Sequence, residues 1–432
     1  MNFRNAPQAC CGDRKFKDFA FTEQDWSAWY RLFSEERFNY EAASRGLFKA
    51  SLRHVSAEEV YVVAGDATQT ARSSRKMEGA GWLRNMRTPP FMAGVHAAQR
   101  WFNGSWLVPA ENGYSRAIPL RWMPAFTEKS QPQTVEALKE WQACVQFLSW
   151  LTQQFAAHER PEQAILFVGD GHYDNLKLWQ ALPEGVTMLA RSAKNRVLYH
   201  LPDEGLHGNR KYGQRAATPQ QVWQTNKRWQ HFDMAVRGRI RHLQVCVRGS
   251  FLRKGAPDTP LFLIVVRGKQ RKNPYGRTYR RQPLPFLVNA IQDANGQWTL
   301  PLPLETLLFW AWQRWEVEVC HRELKTLFGL GHKQCFNPTA AVLSVQWSAW
   351  VYSLLLLAGY RTFGLARAPD VPTRWWRGSG RWSFATLLRS FRAALWGQHH
   401  FRTLFTPTPD DWVGKQGYLT ALKNSIYASM RS

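Results

Sequence analysis

Between residues 314 and 325 the chain reads Arg314-Trp315-Glu316-Val317-Glu318-Val319-Cys320-His321-Arg322-Glu323-Leu324-Lys325, with acids set among bases at helical spacing. On a helix, Arg314, Glu318, His321 or Arg322, and Lys325 fall at successive steps of three or four residues and so line one face. A carboxylate held there is placed to bind a cation while its basic neighbours hold phosphates. Two lone aspartates each follow an apolar run that reads as a strand. Asp66 follows Val60-Tyr61-Val62-Val63-Ala64, and Asp170 follows Ala164-Ile165-Leu166-Phe167-Val168. Carboxylates at adjacent strand ends can share a divalent cation, since Mg²⁺ prefers oxygen ligands. Together these residues point to metal-dependent phosphoryl transfer on DNA.

Each acid also has a plainer reading. A strand-end aspartate often only caps a turn. Asp174 rivals Asp170, although Asp174-Asn175-Leu176 reads as the N-cap of a following helix. Glu316 and Glu323 rival Glu318, and Glu316 falls on a different helix face from Arg314 and Lys325. Glu318 itself reads equally well as a salt-bridge partner of Arg314 or Arg322 on a solvated face. His172 either approaches a substrate phosphate or is an ordinary loop residue. The sequence contains no Gly-rich phosphate loop, no GxSxG and no Ser/His/Asp or Cys/His arrangement.

The balance of charge agrees with a nucleic-acid partner. Lys plus Arg exceed Asp plus Glu by 57 − 32 = +25, a field that attracts polyanions. The bases are scattered from end to end, so they coat the folded surface. The six cysteines (Cys10, Cys11, Cys144, Cys246, Cys320 and Cys335) include no CxxC pair. The expectation is a reducing cytosol, with no disulfide framework or zinc site. The first residues, Met1-Asn2-Phe3-Arg4, lack the apolar core of a signal peptide. The most apolar stretch, Ala340 to Tyr360, contains Gln346 and serines, which favours a buried helix over a membrane span. The 22 tryptophans suit packing, and their flat rings also suit base stacking.

These residues need a scaffold. Residues 20–55 read as helical through Trp26, Trp29, Tyr30, Leu32 and Phe33, a candidate DNA-binding region. After the Asp66 strand come strand runs from Gly94 to Trp101 and from Ser105 to Pro109, joined at Asn103-Gly104, a good turn pair. Arg116 to Pro124 adds an extended piece. Thr134 to His158 reads as an amphipathic helix, Asn175 to Leu182 as another, and Val186 to Ala190 as a strand. This order is an α/β pattern with acids at strand ends. From about 200 to 300, basic Gly-rich loops (His207 to Gly213) alternate with strand runs at His242–Val247, Leu261–Val266 and Leu284–Ile291, with a turn at Asn295-Gly296. That region reads as a β-rich insertion. Helices return after Pro303, and the tail holds a loop at Pro369–Trp382 and a basic amphipathic segment at Phe384–Trp396.

The set resembles the DDE transposases of bacterial insertion sequences, within the ribonuclease-H-like group. Arg314, three residues, Glu318, six residues, Lys325 is similar to the helix signature of that family, Tyr-x2-Arg-x3-Glu-x6-Lys; its tyrosine falls here on Ala311, between Trp310 and Trp312. Val63-Ala64-Gly65-Asp66-Ala67-Thr68 resembles the strand of the first aspartate and Phe167-Val168-Gly169-Asp170-Gly171-His172-Tyr173 that of the second. The resemblance covers about residues 58–335. It implies an α/β fold: a ribonuclease-H-like catalytic core interrupted by a β-rich insertion, with helical N- and C-terminal regions. The expected divisions are a DNA-binding region at 1–57, the first part of the core at 58–199, the insertion at 200–302, the core helix at 303–335 and a helical C-terminal region at 336–432.

It further implies a cytoplasmic, nucleoid-associated bacterial enzyme in which Asp66, Asp170 and Glu318 hold two Mg²⁺ ions, for which Mn²⁺ substitutes. Transposon ends would be cut and the freed 3′-hydroxyl joined to target DNA, by a homodimer that binds terminal inverted repeats. Arg314, His321, Arg322 and Lys325 would hold the DNA backbone, and Trp298 (or Trp223 or Trp229) would stack on a flipped base. A hydrolytic nuclease on the same fold, or a transposase-derived DNA-binding protein, are the alternatives; the presence of all three acids argues against the last.

Overall fold

The computed structural model describes residues 31–397, with residues 86–93, 203–210, 372–374, 376 and 379 outside the description. Trp26, Trp29, Tyr30, Cys10, Cys11 and residues 207–210 of the basic loop therefore lie outside the described residues. The helical run expected over 20–55 is interrupted at residues 35–39. It resumes as α1 (Tyr40–Ser51), where the Asn39 side chain accepts from the Ala42 N–H and so satisfies one of the free donors of the first turn. This helix is part of the main core. Phe48 is fully buried, with ring centroids 5.0–6.0 Å from those of Tyr61, Trp150 and Phe155. Truncating such a ring to alanine costs about 3–5 kcal/mol.

The apolar run before Asp66 forms β1 (Tyr61–Ala71), followed by β2 (Gly81–Arg84), β3 (Val95–Leu107) and β4 (Ala117–Pro124). β1 and β3 are antiparallel; β2 pairs with the first part of β3 and β4 with the second. Contrary to the turn expected at Asn103-Gly104, β3 runs straight through it, with Asn103 opposite Asp66 and Gly104 opposite Gly65. The glycines serve close packing instead of chain reversal. A Cβ on Gly104 would lie 2.6 Å from the Phe147 ring, and one on Gly65 would lie 2.7 Å from Phe167.

Helix α2 (Glu140–Ala157) starts six residues later than the pattern from Thr134 suggests. The Glu78 carboxylate captures the backbone N–H groups of Gln133 and Thr134, and the Leu138 N–H donates to Phe126, which keeps that stretch out of the helix. The helix buries Phe147, Leu148, Leu151 and Phe155 against the sheet. Next come β5 (Ile165–Gly169), α3 (Leu176–Gln180) and β6 (Val186–Arg191). The cap of α3 is Asn175, not Asp174. Asp174 is buried and binds Arg196 and Arg253, the Ser192 hydroxyl and the Trp179 indole, so it is committed to structure.

The remaining strands are β7 (Tyr199–His200), then, after α4 (Pro219–Thr225), β8 (Gln230–Val236), β9 (Arg239–Arg253), β10 (Ala256–Val266), β11 (Gln270–Lys272), β12 (Thr278–Arg280), β13 (Leu284–Asn289), β14 (Ile291–Gln292) and β15 (Trp298–Thr299). One mixed sheet of eleven strands runs β2-β3-β1-β5-β6-β13-β10-β9-β7, with β4 on β3 and β8 on β9. The strand-rich stretch between 230 and 289 thus continues the same sheet through the β13–β6 pairing and is not a separate layer. β11–β12 and β14–β15 are small two-stranded ribbons outside it.

The chain closes with α5 (Leu304–Gln313), α6 (Trp315–Thr326), α7 (Pro338–Phe363) and α8 (Phe384–Gly397). Among the described residues, α7 alone is long and apolar enough to cross a membrane. In this fold most of it is buried inside the protein, where Gln346 donates to the Trp122 carbonyl and Tyr352 to Glu323. Many of the tryptophans serve packing: Trp101, Trp106, Trp122 and Trp179 are fully buried.

Candidate active site

Parallel pairing of β1 with β5 sets Ala64 opposite Val168, so Asp66 and Asp170, each two residues further on, reach the same level at the carboxyl end of the sheet. Asp170 follows the end of β5, and its Oδ1 accepts from the His172 N–H at 2.8 Å. Asp66, contrary to the strand end expected there, lies inside β1, which stays paired with β3 as far as Ala71, and its Oδ1 accepts from the Ala67 N–H. Helix α6 packs against β1 and β3 at this end. Its register aims Glu318 inward, and all three acids share one electrostatic neighbourhood. The Asp66 carboxyl is pushed up to about 7 by burial, and the negative charges of Asp170, Glu318 and Glu140 add to that; Arg314 opposes it.

Glu318 is only partly shielded, and its Oε1 lies 2.5 Å from Arg314 Nη2. Arg314 itself stands at the break between α5 and α6. Lys325, one face-length further on, donates to the Thr68 hydroxyl, two residues beyond Asp66. The basic residues of this face therefore reach the acid-bearing strand. Arg322 is exposed.

His321 does not meet the expectation of a DNA contact, because it is buried. Its Nδ1 is 3.9 Å from Asp66 Oδ2, and its Nε2 is 3.2 Å from the Asn103 amide nitrogen. Burial pushes its pKa down to about 3, with Lys325 and Arg314 adding to the effect, so the ring is neutral. The Ser105 hydroxyl donates to Asn103 Oδ1, which turns the Asn103 amide nitrogen toward the ring. In that arrangement Nε2 accepts and Nδ1 carries its proton toward Asp66. Trp298 is half-buried in the β14–β15 ribbon, opposite Gln292.

The rivals of Glu318 are engaged elsewhere. Glu323 is buried and accepts from Arg116 and Tyr352, and Glu316 is buried and paired with Arg237 at 2.6 Å. At the position of the signature tyrosine, Ala311 is half-buried; its neighbours Trp310 and Trp312 are partly buried against the core.

Two residues of the site were not visible in the sequence. Asn103 looked like half of a turn, and only the β1–β3 register sets it beside Asp66. Glu140 opens α2 and is buried; its Oε2 lies 3.5 Å from His172 Nε2 and 3.7 Å from Arg100 Nη1. Burial raises the Glu140 carboxyl, which His172 counters and Asp170 reinforces. A lone glutamate in an amphipathic pattern carries no signal for this position. Only the packing of α2 on the sheet reveals it.

A family model described as DDE superfamily endonuclease matches residues 22–246, which include Asp66 and Asp170. The chain belongs to the DDE superfamily of endonucleases. A second model, described as transposase DDE domain, matches residues 144–354 and spans Asp170 and Glu318. Among solved structures the chain is similar to the piggyBac transposase in its cryo-EM synaptic complex with hairpin DNA. That likeness has 9% identity and a TM-score of 0.31, covering 85% of this chain and 57% of the other. The chain thus spans a little over half of that protein's length. No curated protein matches.

Among the described residues, no three His, Cys, Asp or Glu side chains stand close enough to hold a metal ion together. Glu318 is turned onto Arg314 instead. The donor set nevertheless fits a hard divalent cation. It consists of oxygens alone, and the burial and neighbouring negative charges that raise Asp66 are what a cation between these carboxylates would offset.

Proposed function

We propose that this superfamily member is a DNA transposase that cuts the ends of its element and joins the freed 3′-hydroxyl to target DNA. The observation that carries this reading is the meeting of Asp66, Asp170 and Glu318 at one end of the sheet, where burial, reinforced by the neighbouring carboxylates, lifts Asp66 to about 7. Asp66, Asp170 and Glu318 would hold two Mg²⁺ ions, with Mn²⁺ able to replace them. When bound, such ions activate an attacking oxygen and neutralise charge on the leaving one. The protein supplies the rest: Arg314, Arg322 and Lys325 position the backbone phosphates, while neutral His321 and Asn103 hold Asp66 in place. Phosphate contacts fix register without reading sequence, so recognition of terminal inverted repeats lies outside this cluster. Two copies of the chain would bring two ends together in a synaptic complex.

The ribonuclease-H-like reading of the core is supported by the strand order β4-β3-β1-β5-β6, three antiparallel strands followed by two parallel ones. The test is an in vitro reaction of the purified full chain with Mg²⁺ or Mn²⁺, DNA carrying the element's ends, and a target plasmid. Joined strand-transfer products are expected, absent for Asp66→Asn. Nicks alone, never joined, would favour the hydrolytic nuclease, and wild-type DNA binding without cleavage would favour the non-cutting alternative.

A further inference from the structure

Beyond β10 and before β13 the chain leaves the sheet as a separate two-stranded ribbon, β11–β12, with pairs Gln270↔Arg280, Arg271↔Tyr279 and Lys272↔Thr278. The ribbon continues the β10–β13 hairpin, whose last sheet pair is Val266↔Leu284. Its turn is well built. The Asn273 side chain accepts from the N–H groups of Tyr275 and Arg277, and Gly276 takes a positive φ of 76°. At its base Gly268 is obligatory, since a Cβ there would lie 1.9 Å from the Arg281 carbonyl oxygen.

The composition of the ribbon is one-sided. From Arg267 to Gln282 there is no acidic residue. Lys269, Arg271, Lys272, Arg277 and Arg281 are all exposed, and none forms an ion pair with a described carboxylate. Antiparallel partners share a face, and faces alternate along each strand. Arg271, Arg277, Tyr279 and Arg281 therefore stand on one side, with Tyr275, 88% exposed, at the tip. A solvated salt-bridge surface would mix both signs; this one does not.

Its position gives the charge a purpose. β6 and β13 pair at Arg191↔Phe286, and β5 and β6 at Gly169↔Ala190. Following these registers, the start of β13 lies at the same end of the sheet as Asp66 and Asp170. It stands two strands from Asp170, on the order of 10 Å at the usual strand spacing. The ribbon therefore projects from the acid-bearing end, and its seven residues from Lys269 to Tyr275 extend roughly 20 Å.

We propose that the β11–β12 ribbon is a duplex-DNA contact that enters a major groove, with Arg271, Arg277 and Arg281 on the flanking phosphates and Tyr275 at the groove floor. A two-stranded ribbon fits the wide B-form major groove, whereas the deep, narrow groove of A-form RNA excludes it. The proposal rests on the reading that the chain acts on DNA, and names a surface outside the acid cluster.

The test uses the full chain, wild type and the triple variant Arg271→Ala, Arg277→Ala, Arg281→Ala, with labelled B-form DNA and duplex RNA of equal length, in chelator so that nothing is cut. Circular dichroism and a melting curve confirm that the variant folds, as exposed substitutions allow. The expected result is that DNA binding weakens on the order of ten-fold or more. The slope of log affinity against log salt should become shallower by about two to three, near 0.9 for each phosphate that the variant leaves un-neutralised, while RNA binding changes little. Tyr275→Ala should weaken DNA binding without altering the slope. An unchanged DNA slope in the triple variant overturns the ribbon contact and leaves the DNA reading intact, as does equal weakening on DNA and RNA. Failure of wild type to bind DNA at all overturns the underlying reading instead.

Discussion

Helix α6 carries three glutamates on two faces, and the faces behave differently. Glu323 and Glu316 point into the protein, where Arg116, Tyr352 and Arg237 neutralise them in fixed geometry. Glu318 points to the end of the sheet, keeps about a third of its side chain exposed and meets a single cation, Arg314, from the same helical stretch. One face uses acid–base pairs to dock the helix, so its charges are spent on each other. The other keeps a carboxylate in the same electrostatic neighbourhood as two more, where like charges disfavour one another. The lesson is that residue type does not assign role; the number and rigidity of partners does.

The contrast breaks most sharply under exchange of the two glutamates for their amides. Glu318→Gln should lower DNA cleavage on the order of a thousand-fold or more, equivalent to about 4 kcal/mol of transition-state stabilisation, with little change in urea unfolding. Glu323→Gln should do the reverse. Removing one partner of a buried pair costs about 3–5 kcal/mol, seen as a lower denaturation midpoint, while cleavage by the folded fraction persists. Swapped phenotypes would exchange the roles of the two faces.

The next effect is a pH dependence of stability. The folded value of Asp66, about 7, lies above the 3.8 of the free side chain. Between those values the folded protein keeps a proton that the unfolded chain releases, so stability falls as pH rises from about 4 to about 7 and then levels off. Asp66→Asn removes this titration. In chelator the variant should be more stable than wild type at pH 8, by up to a few kcal/mol, with the gap closing toward pH 4. Saturating Mg²⁺ should narrow the gap at pH 8 by stabilising only the wild type. A gap independent of pH would show that burial and the neighbouring acids do not hold Asp66 protonated.

The smallest effects concern the cations. Lys325→Ala should slow cleavage and weaken end binding roughly ten-fold, or about 1.4 kcal/mol, with Mg²⁺ affinity little changed. Arg314→Ala should alter stability by only about 0.3–0.5 kcal/mol, the scale of a helical ion pair near the surface; its effect on rate, at saturating DNA and Mg²⁺, separates a phosphate contact from a mere helix brace. Wild-type rates for both would make this face solvated decoration.

Much of the scaffold was legible in the chain. The apolar runs before Asp66 and Asp170 became β1 and β5 because continuous β-branched and aromatic runs suit strands buried on both faces. The apolar stretch near 350 became a buried helix for the same reason of burial. Errors fell where a side chain from elsewhere intervened: Glu78 delays α2, and Asn103-Gly104 is held straight by packing against Phe147.

Sequence alone thus determined the basic charge, the apolar runs that lead into Asp66 and Asp170, and the helical spacing of Arg314, Glu318 and Lys325, since these depend on composition and on local periodicity. Tertiary structure decided the rest. Which glutamate of α6 faces the aspartates, that His321 is buried and neutral, that Asn103 and Glu140 join the site, and that the basic ribbon leaves the same end of the sheet all follow from register and burial. Those are relations between residues far apart in the chain, and local pattern carries no information about them.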